Sequence, residues 1–397
     1  MSLFDVSCAI PRSGRTFENF LAKLKSLGVS NADHLDTLVQ VIKHGKDQKT
    51  ESLEDALRVY QQAVQQAPNV GVFVDRKRYN RPYRLGFLGM DCKLGDILVR
   101  FEGDEPHNCS SLVSLGEADL ALAGLDELLT VTQHSLIHPE QVRKWGMYNY
   151  HLPKEKKVRI AGSAMLTRWN SVVGRSIQDI VGFFLIARQK PSHAEQYHQA
   201  TDHLKHLEQH KDKVFVKGRY ADMIRSAYPN LNIESVHDVE DAVVESTTGG
   251  IGLEIVQTGS TLRRKGLVLL GGPLFLSETL YVVDYYKYLD KDQEKLREFI
   301  EQLKPVGYFE EERLYQVANW FYALEENLGD NWVNKPTVGD LFCEQHEAAM
   351  GLRPTRLQTR YWMPADNYKL KEALEAVEQA SAQLESYYLA IKSGQDK

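Results

Sequence analysis

Between residues 70 and 286 short apolar runs alternate with helical stretches, and this alternation restricts the fold more than any other feature. VGVFV (70–74), RLGFLGM (84–90), DILVRF (96–101), VRIAG (158–162), VGFFLIAR (181–188), VFVKG (214–218), NIESV (232–236), GIGLEIV (250–256), GLVLLGG (266–272) and TLYVVDYY (279–286) have the length and composition of strands. SLVSLGEADLALAG (111–124) reads as a helix, a glycine turn and a buried strand, and DMIRSAYP (222–229) reads as a helix. Such alternation predicts α/β architecture with parallel or mixed sheets. Ahead of it, FDVSCAI (4–10) predicts a first strand and Pro11–Arg15 a turn. Phe17, Phe20, Leu21, Leu24 and Leu27 recur at helical spacing over 16–27.

The flanks are helical. Residues 33–44 and 51–66 predict two helices, the second with Thr50, Glu51 and Ser52 ahead of Leu53. Residues 191–211 predict a polar helix containing His193, His198, His203, His206 and His210. Their spacing is compatible with a metal site, but no carboxylate or cysteine pattern joins them, so solvated histidines are expected. From 287 onward the reading is helical: 290–303, 310–328 and about 366–392. In the last of these Leu370, Leu374, Val377, Ser381, Leu384, Tyr388 and Ile391 form a heptad seam. Packing on its own domain is the expected use of that seam; an oligomer contact is the alternative.

A length of 397 residues predicts two or three domains. With 43% hydrophobic and 10% aromatic residues, disorder is excluded as the main state. The net charge of -6 supplies no global field for nucleic acid or anionic membrane. The basic stretch RKRYNRPYR (76–84) could contact pyrophosphate or RNA, but a solvated edge or hairpin face is expected. No apolar window is long enough for a membrane span, and the N-terminus lacks signal-peptide character, so no membrane association is expected. Cys8, Cys92, Cys109 and Cys343 are widely spaced without a CxxC pair, which fits reduced thiols and a cytoplasmic location. Cys343-x-x-His346 reads as helix packing. Neither G-x-S-x-G, HExxH nor a Walker sequence occurs.

The stretch that carries chemistry is Glu254-Ile255-Val256-Gln257-Thr258-Gly259-Ser260-Thr261-Leu262-Arg263. A buried strand ends at Val256, and a turn rich in small and hydroxyl residues follows. Such a turn aims consecutive N–H groups at one anion, and a helix opening near Leu262 would add its positive end. Glu254 could accept hydrogen bonds from ribose hydroxyls. A phosphate cradle beside a carboxylate is what a ribose 5-phosphate requires. Alone, T-G-S-T is equally a plain β-turn.

Three segments in order resemble the ATP phosphoribosyltransferase family, the first enzyme of histidine biosynthesis. Glu254 to Leu267 resembles its phosphoribosyl-pyrophosphate loop, an acidic residue, two apolar residues and T-G-x-T-L. Gly116-Glu117-Ala118-Asp119-Leu120-Ala121-Leu122-Ala123-Gly124-Leu125-Asp126 resembles G-x-A-D-L-G-I-T-G-x-D, and Ala9-Ile10-Pro11-Arg12-Ser13-Gly14-Arg15 resembles A-I-P-K-x-G-R. Val99-Arg100-Phe101 with Asp104 and Pro106 is a weaker match. The resemblance covers residues 4–27 and about 84–285. Departures are Glu254 where Asp is usual, and Ala121 and Ala123 in place of Gly and Thr. The C-terminal region also lacks the strand-rich regulatory domain of the family's long form.

The resemblance implies a two-lobed, type II periplasmic-binding-protein-like core of mixed sheets with an added helical C-terminal domain. The expected order is first strand and helix (1–27), helical insertion (28–70), lobe one (71–150), lobe two (151–245), loop and return strands (246–286) and helical domain (287–397). The implied reaction moves phosphoribose from phosphoribosyl pyrophosphate to a nitrogen of ATP or a related nucleobase-like acceptor, releasing pyrophosphate, with Mg2+. Arg12 and Arg15 would hold pyrophosphate, and Glu254 the ribose hydroxyls. Thr258, Gly259, Ser260 and Thr261 would hold the 5-phosphate. Ser13, Gly14, Arg100, Gly124 and Asp126 would complete the substrate contacts, whereas Asp119 reads as a cap or turn residue. A homo-oligomer is expected. The alternative is a non-catalytic cytosolic ligand-binding or regulatory subunit of the same fold.

Overall fold

Each of the apolar runs between residues 70 and 286 contains a strand in the computed structural model. It describes residues 4–47, 52–74, 82–128, 130, 158–171, 174–192, 197, 200–247, 249–307, 309–342 and 370–395. The chain divides into two compact units and enters each more than once. The first comprises Met1–Glu127, Glu155–Leu166 and Thr279–Pro305; the second contains Thr167–Glu278 and Val306–Lys397.

The first unit is built on strands β1 (Val6–Pro11), β4 (Gly89–Leu94), β5 (Ile97–Asp104), β6 (Leu120–Gly124), β7 (Val158–Ser163) and β16 (Thr279–Asp284). Their order is β4-β5-β1-β6-β16-β7. β1 is parallel to β5 and β6, while β16 runs antiparallel to β6 and β7. A separate hairpin pairs β2 (Val70–Val74) with β3 (Tyr83–Phe87). Helices α1 (Arg15–Ser26), α2 (Ala32–Asp47), α3 (Leu53–Gln66), α4 (Pro106–Leu115), α9 (Tyr285–Leu289) and α10 (Glu294–Gln302) belong to this unit. The Ser52 hydroxyl caps α3 by accepting the Asp55 N–H at 3.1 Å. Apolar faces of α1 (Phe17, Phe20), α2 (Leu38, Ile42) and α3 (Val59, Ala63) share one core with β1 and β5.

The second unit carries the hairpin β8 (Thr167–Asn170) and β9 (Arg175–Gln178), then β10 (Val181–Ala187), β11 (Lys213–Lys217), β12 (Asn232–Val236), β13 (Ile251–Val256), β14 (Val268–Leu270), β15 (Leu276–Ser277) and β17 (Trp332–Val333). The main path is β12-β11-β13-β10-β14-β17. Its helices are α5 (Ala200–His210), α6 (Gly218–Ala227), α7 (Val239–Glu245), α8 (Ser260–Lys265), α11 (Glu311–Leu328) and α12 (Leu370–Ser393). β11 is parallel to β12 and β13, and β10 is antiparallel to β13 and β14. Both sheets therefore repeat one order. Three parallel strands lie second-first-third (β5-β1-β6 and β12-β11-β13), followed by an antiparallel strand supplied after the chain arrives from the other unit (β16 and β10). This duplicated order is that of a type II periplasmic-binding-protein-like core, here with a helical C-terminus.

The helical flanks divide differently from their order in the sequence. α10 buries Leu296, Phe299 and Ile300 in the first unit's core. α11 and α12 bury Leu314, Val317, Trp320, Val377, Leu384, Tyr388 and Ile391 with Phe184, Val256 and Leu262 of the second unit. An amphipathic helix must bury its apolar stripe, and the sheet layers offer the largest apolar surfaces. The boundary expected at 287 accordingly falls inside the first unit, and the 28–70 helices are part of its core. The described part of the heptad seam is spent inside the second unit rather than on an oligomer contact.

Two expectations about exposed polar segments are corrected. His203 is fully buried, and its Nε2 lies 3.0 Å from the Tyr197 carbonyl oxygen. His206 and His210 stack with ring centroids 4.1 Å apart, and burial, with His210 beside it, lowers the His206 pKa. Arg84, in the basic stretch, is half-buried rather than solvated because it pairs with Glu105 at 3.3 Å. His193, His198, Cys343, His346 and most of 76–84 lie outside the described residues. Among the described residues, no helix is long and apolar enough to cross a membrane.

Candidate functional site

The first unit gathers its candidate residues where parallel strands end. Pro11 of β1 lies beside Asp104 of β5, and the Arg12 N–H donates to the Asp104 carbonyl at 2.8 Å. β6 ends at Gly124, so the Arg12–Arg15 turn, Asp104–Glu105 and Gly124–Asp126 share one sheet edge. In open α/β sheets, ligands bind outside the carboxyl ends of strands. Gly14 adopts φ +94° and leads into α1 at Arg15. Ser13 is half-buried in this turn, and Arg15 is exposed.

Arg12 is held by two side chains that the sequence motifs did not single out, Phe73 and Glu105. Its guanidinium lies 3.7 Å from the Phe73 ring centroid and pairs with Glu105, which Arg84 also contacts. Two arginines thus converge on one carboxylate. The stack and ion pair fix the orientation of the Arg12 fork. The signal for Glu105 was available, since it immediately precedes Pro106 at the end of β5. Phe73 and Arg84 come from the β2–β3 hairpin, and nothing local links them to residue 12.

Two predicted residues behave differently from expectation. Gly124 is expected among the substrate contacts, but a Cβ there would lie 2.6 Å from Asp126 Oδ1. The glycine admits the chain's own carboxylate, which is 7% exposed. Arg100 is not at the edge. It pairs with Ser7 in mid-strand register and contacts Asp91 at 3.1 Å and Glu102 at 3.6 Å. Four residues separate it from the end of β5 at Asp104, on the order of 13 Å along a strand. Asp119 is structural through long-range contacts rather than as a cap or turn residue: its carboxylate accepts the Ser7 N–H and hydroxyl, both at 2.8 Å, and the Lys287 ammonium at 2.5 Å.

In the second unit, the predicted loop follows β13. Gly259 adopts φ +70° and caps α8, which opens at Ser260. Thr258 Oγ1 and Ser260 Oγ are 3.0 Å apart. Among the described residues, the N–H groups of Thr258, Gly259 and Thr261 donate to no protein acceptor. These donors and hydroxyls form the kind of concavity that binds an anion. The loop is braced from behind: Trp320 Nε1 donates to the Gln257 carbonyl at 3.0 Å, and Asn327 Nδ2 donates to the Thr258 carbonyl. The Gln257 side chain is held by Arg168 at 3.0 Å and by Asp179. Sequence reasoning missed all four of these partners, because they come from β8, the β9–β10 junction and α11.

Glu254 lies in β13, half-buried, and its Oε1 accepts the Ile255 N–H at 2.8 Å. Burial raises its pKa, outweighing the opposing effects of the Ile255 N–H and Lys217, while Glu240 and Asp238 push it up further. Among the described residues, no group of three or more His, Cys, Asp or Glu side chains is placed to hold a metal ion.

A family model described as "Halobacterial ATP phosphoribosyltransferase" matches residues 3–306. No curated protein matches the sequence. Among solved structures, the ATP phosphoribosyl transferase (HisG:HisZ) complex from Thermotoga maritima is 15% identical, with a TM-score of 0.38, covering 75% of this chain and 96% of that chain. The cysteine-binding protein from Campylobacter jejuni is 11% identical, with a TM-score of 0.28, covering 82% of this chain and 90% of that chain.

Proposed function

Because the chain belongs to the halobacterial ATP phosphoribosyltransferase family and is thereby a pentosyltransferase, we propose that it transfers phosphoribose from phosphoribosyl pyrophosphate to N1 of ATP, releasing pyrophosphate in the cytoplasm. The observation that carries this reading is the Thr258–Thr261 loop. It presents N–H groups that have no protein acceptor among the described residues, beside hydroxyls and at the end of a strand that carries Glu254. The loop would hold the 5-phosphate and so supply binding energy remote from the reacting carbon. Ionised Glu254 would accept hydrogen bonds from ribose hydroxyls. Breaking the C1–O bond develops positive charge on ribose and negative charge on pyrophosphate. Arg15, with Arg12 held by Glu105 and Phe73, would meet the latter.

Magnesium fits this donor set as an ion carried by substrate phosphates rather than by a protein cage. Mg2+ commonly keeps waters and takes only one or two carboxylates. The ion would neutralise charge on the leaving pyrophosphate.

Pyrophosphate release from phosphoribosyl pyrophosphate and magnesium, with and without ATP, tests the proposal. ATP-dependent release is expected. Release only with a different acceptor would redirect the enzyme, and tight binding without release would make the chain a ligand-binding subunit.

The raised Glu254 pKa gives a second test. Its ionised form is the acceptor, so affinity for phosphoribosyl pyrophosphate is expected to rise with pH through a value above the ordinary carboxylate range. For stability the sign is opposite. A folded-state pKa above the unfolded value favours folding below the unfolded pKa, and the benefit is lost as pH rises through the folded one. Glu254→Gln should flatten the acid limb of the KM profile for phosphoribosyl pyrophosphate. An identical limb in the variant would remove Glu254 from the site.

A further inference from the structure

Resting on the phosphoribosyltransferase reading, we propose that α11 orients the 5-phosphate loop and that Asn327 is a positioning residue for it. α11 spans Glu311–Leu328 and lies beyond the residues matched by the family model. It nonetheless engages consecutive loop residues. Trp320 donates to the Gln257 carbonyl, and Asn327 donates to the Thr258 carbonyl with Ser260 Oγ at 3.3 Å. Leu328 lies against Gly259, where a Cβ would meet its Cδ2 at 2.7 Å. One turn before Trp320, Gln316 Oε1 accepts the Gln178 N–H at 2.9 Å, next to Asp179, which holds the Gln257 side chain.

The consequence follows from peptide geometry. In a trans peptide, the carbonyl and the N–H of one unit point in opposite directions. Turning the Gln257 carbonyl toward Trp320 aims the Thr258 N–H away from α11. Turning the Thr258 carbonyl toward Asn327 does the same for the Gly259 N–H. Those are two of the donors assigned to the phosphate. Asn327 is half-exposed near the helix end, unlike the fully buried Trp320, so it can be changed without opening the core.

The experiment compares the wild-type full chain with Asn327→Ala and Asn327→Asp, using phosphoribosyl pyrophosphate and ribose 5-phosphate as calorimetric probes. Asn327→Asp keeps the size but loses the donor and repels the Thr258 carbonyl. Both variants should bind both probes about tenfold or more weakly, the loss of roughly one hydrogen bond and its geometry. The KM for ATP and the Tm should stay at wild-type values, which a purely structural role for Asn327 does not predict. Wild-type affinity for both probes in both variants would overturn the role of Asn327 and leave the phosphoribosyltransferase reading intact. Equal loss of ATP and phosphoribosyl pyrophosphate affinity would also overturn it. Failure of the wild-type protein to bind either probe would overturn the functional reading, and this inference with it.

Discussion

Replacing Gly259 with valine is expected to abolish binding of phosphoribosyl pyrophosphate while the protein stays folded. Gly259 sits at φ +70°, where a residue with a Cβ pays about 1–2 kcal/mol, and a β-branched residue fits worse. Its Cβ would also meet Leu328, 2.7 Å away and buried in the core beneath the loop. The turn relieves both problems by leaving its left-handed conformation, and the Thr258–Thr261 donors then no longer converge. Hydrogen bonds to a charged group contribute roughly 1.5–3 kcal/mol each, so losing two weakens affinity by about 100-fold or more. The strain is local, and a few kcal/mol lowers the Tm of a unit this size by about 2–4 °C per kcal/mol. Calorimetric titration beside a thermal melt checks both expectations. Wild-type affinity in a folded Gly259→Val protein would show that the loop does not hold the phosphate.

The largest effect on stability is expected at Arg313. Its side chain is 0% exposed and pairs with Glu278, 4% exposed, at 2.6 Å; Gln178 donates to the second carboxylate oxygen. Glu278 is the last residue of its segment in the second unit before the chain enters β16 of the first. Arg313→Met leaves a buried carboxylate without that cation, which costs about 3–5 kcal/mol. Removing the carboxylate as well, in Arg313→Met with Glu278→Leu, should recover much of the loss, because desolvating the pair offsets most of its attraction. Urea denaturation of the two single variants and the double variant gives the coupling directly. A single-variant loss below about 1 kcal/mol would mean that the pair is not the closed, buried contact described here.

Much of the fold was legible because it depends on short-range pattern. The run Leu120–Gly124 is apolar throughout, as a strand covered on both faces must be, and it is β6. Gly116 and Gly259 both adopt positive φ, the conformation that their turns require and that glycine reaches without steric cost. The loop after β13 and the turn before α1 likewise fall where local composition put them.

Other features were not legible because they depend on which distant segments meet. Arg100 has the right chemistry for a phosphate, but its strand register leaves it four residues short of the sheet edge. His203 sits in a polar stretch, yet the fold turns it into the core and gives it the Tyr197 carbonyl. The Arg12 environment joins residues 12, 73, 84 and 105, and the loop's brace joins 257 and 258 to 320 and 327. By itself, the sequence determined the strands, the helices and the glycine turns, since these follow from propensity and periodicity within a few residues. Only the tertiary structure decided which helices complete which unit and which side chains orient the arginine and the loop, because burial and long-range hydrogen bonding are set by the assembled sheets.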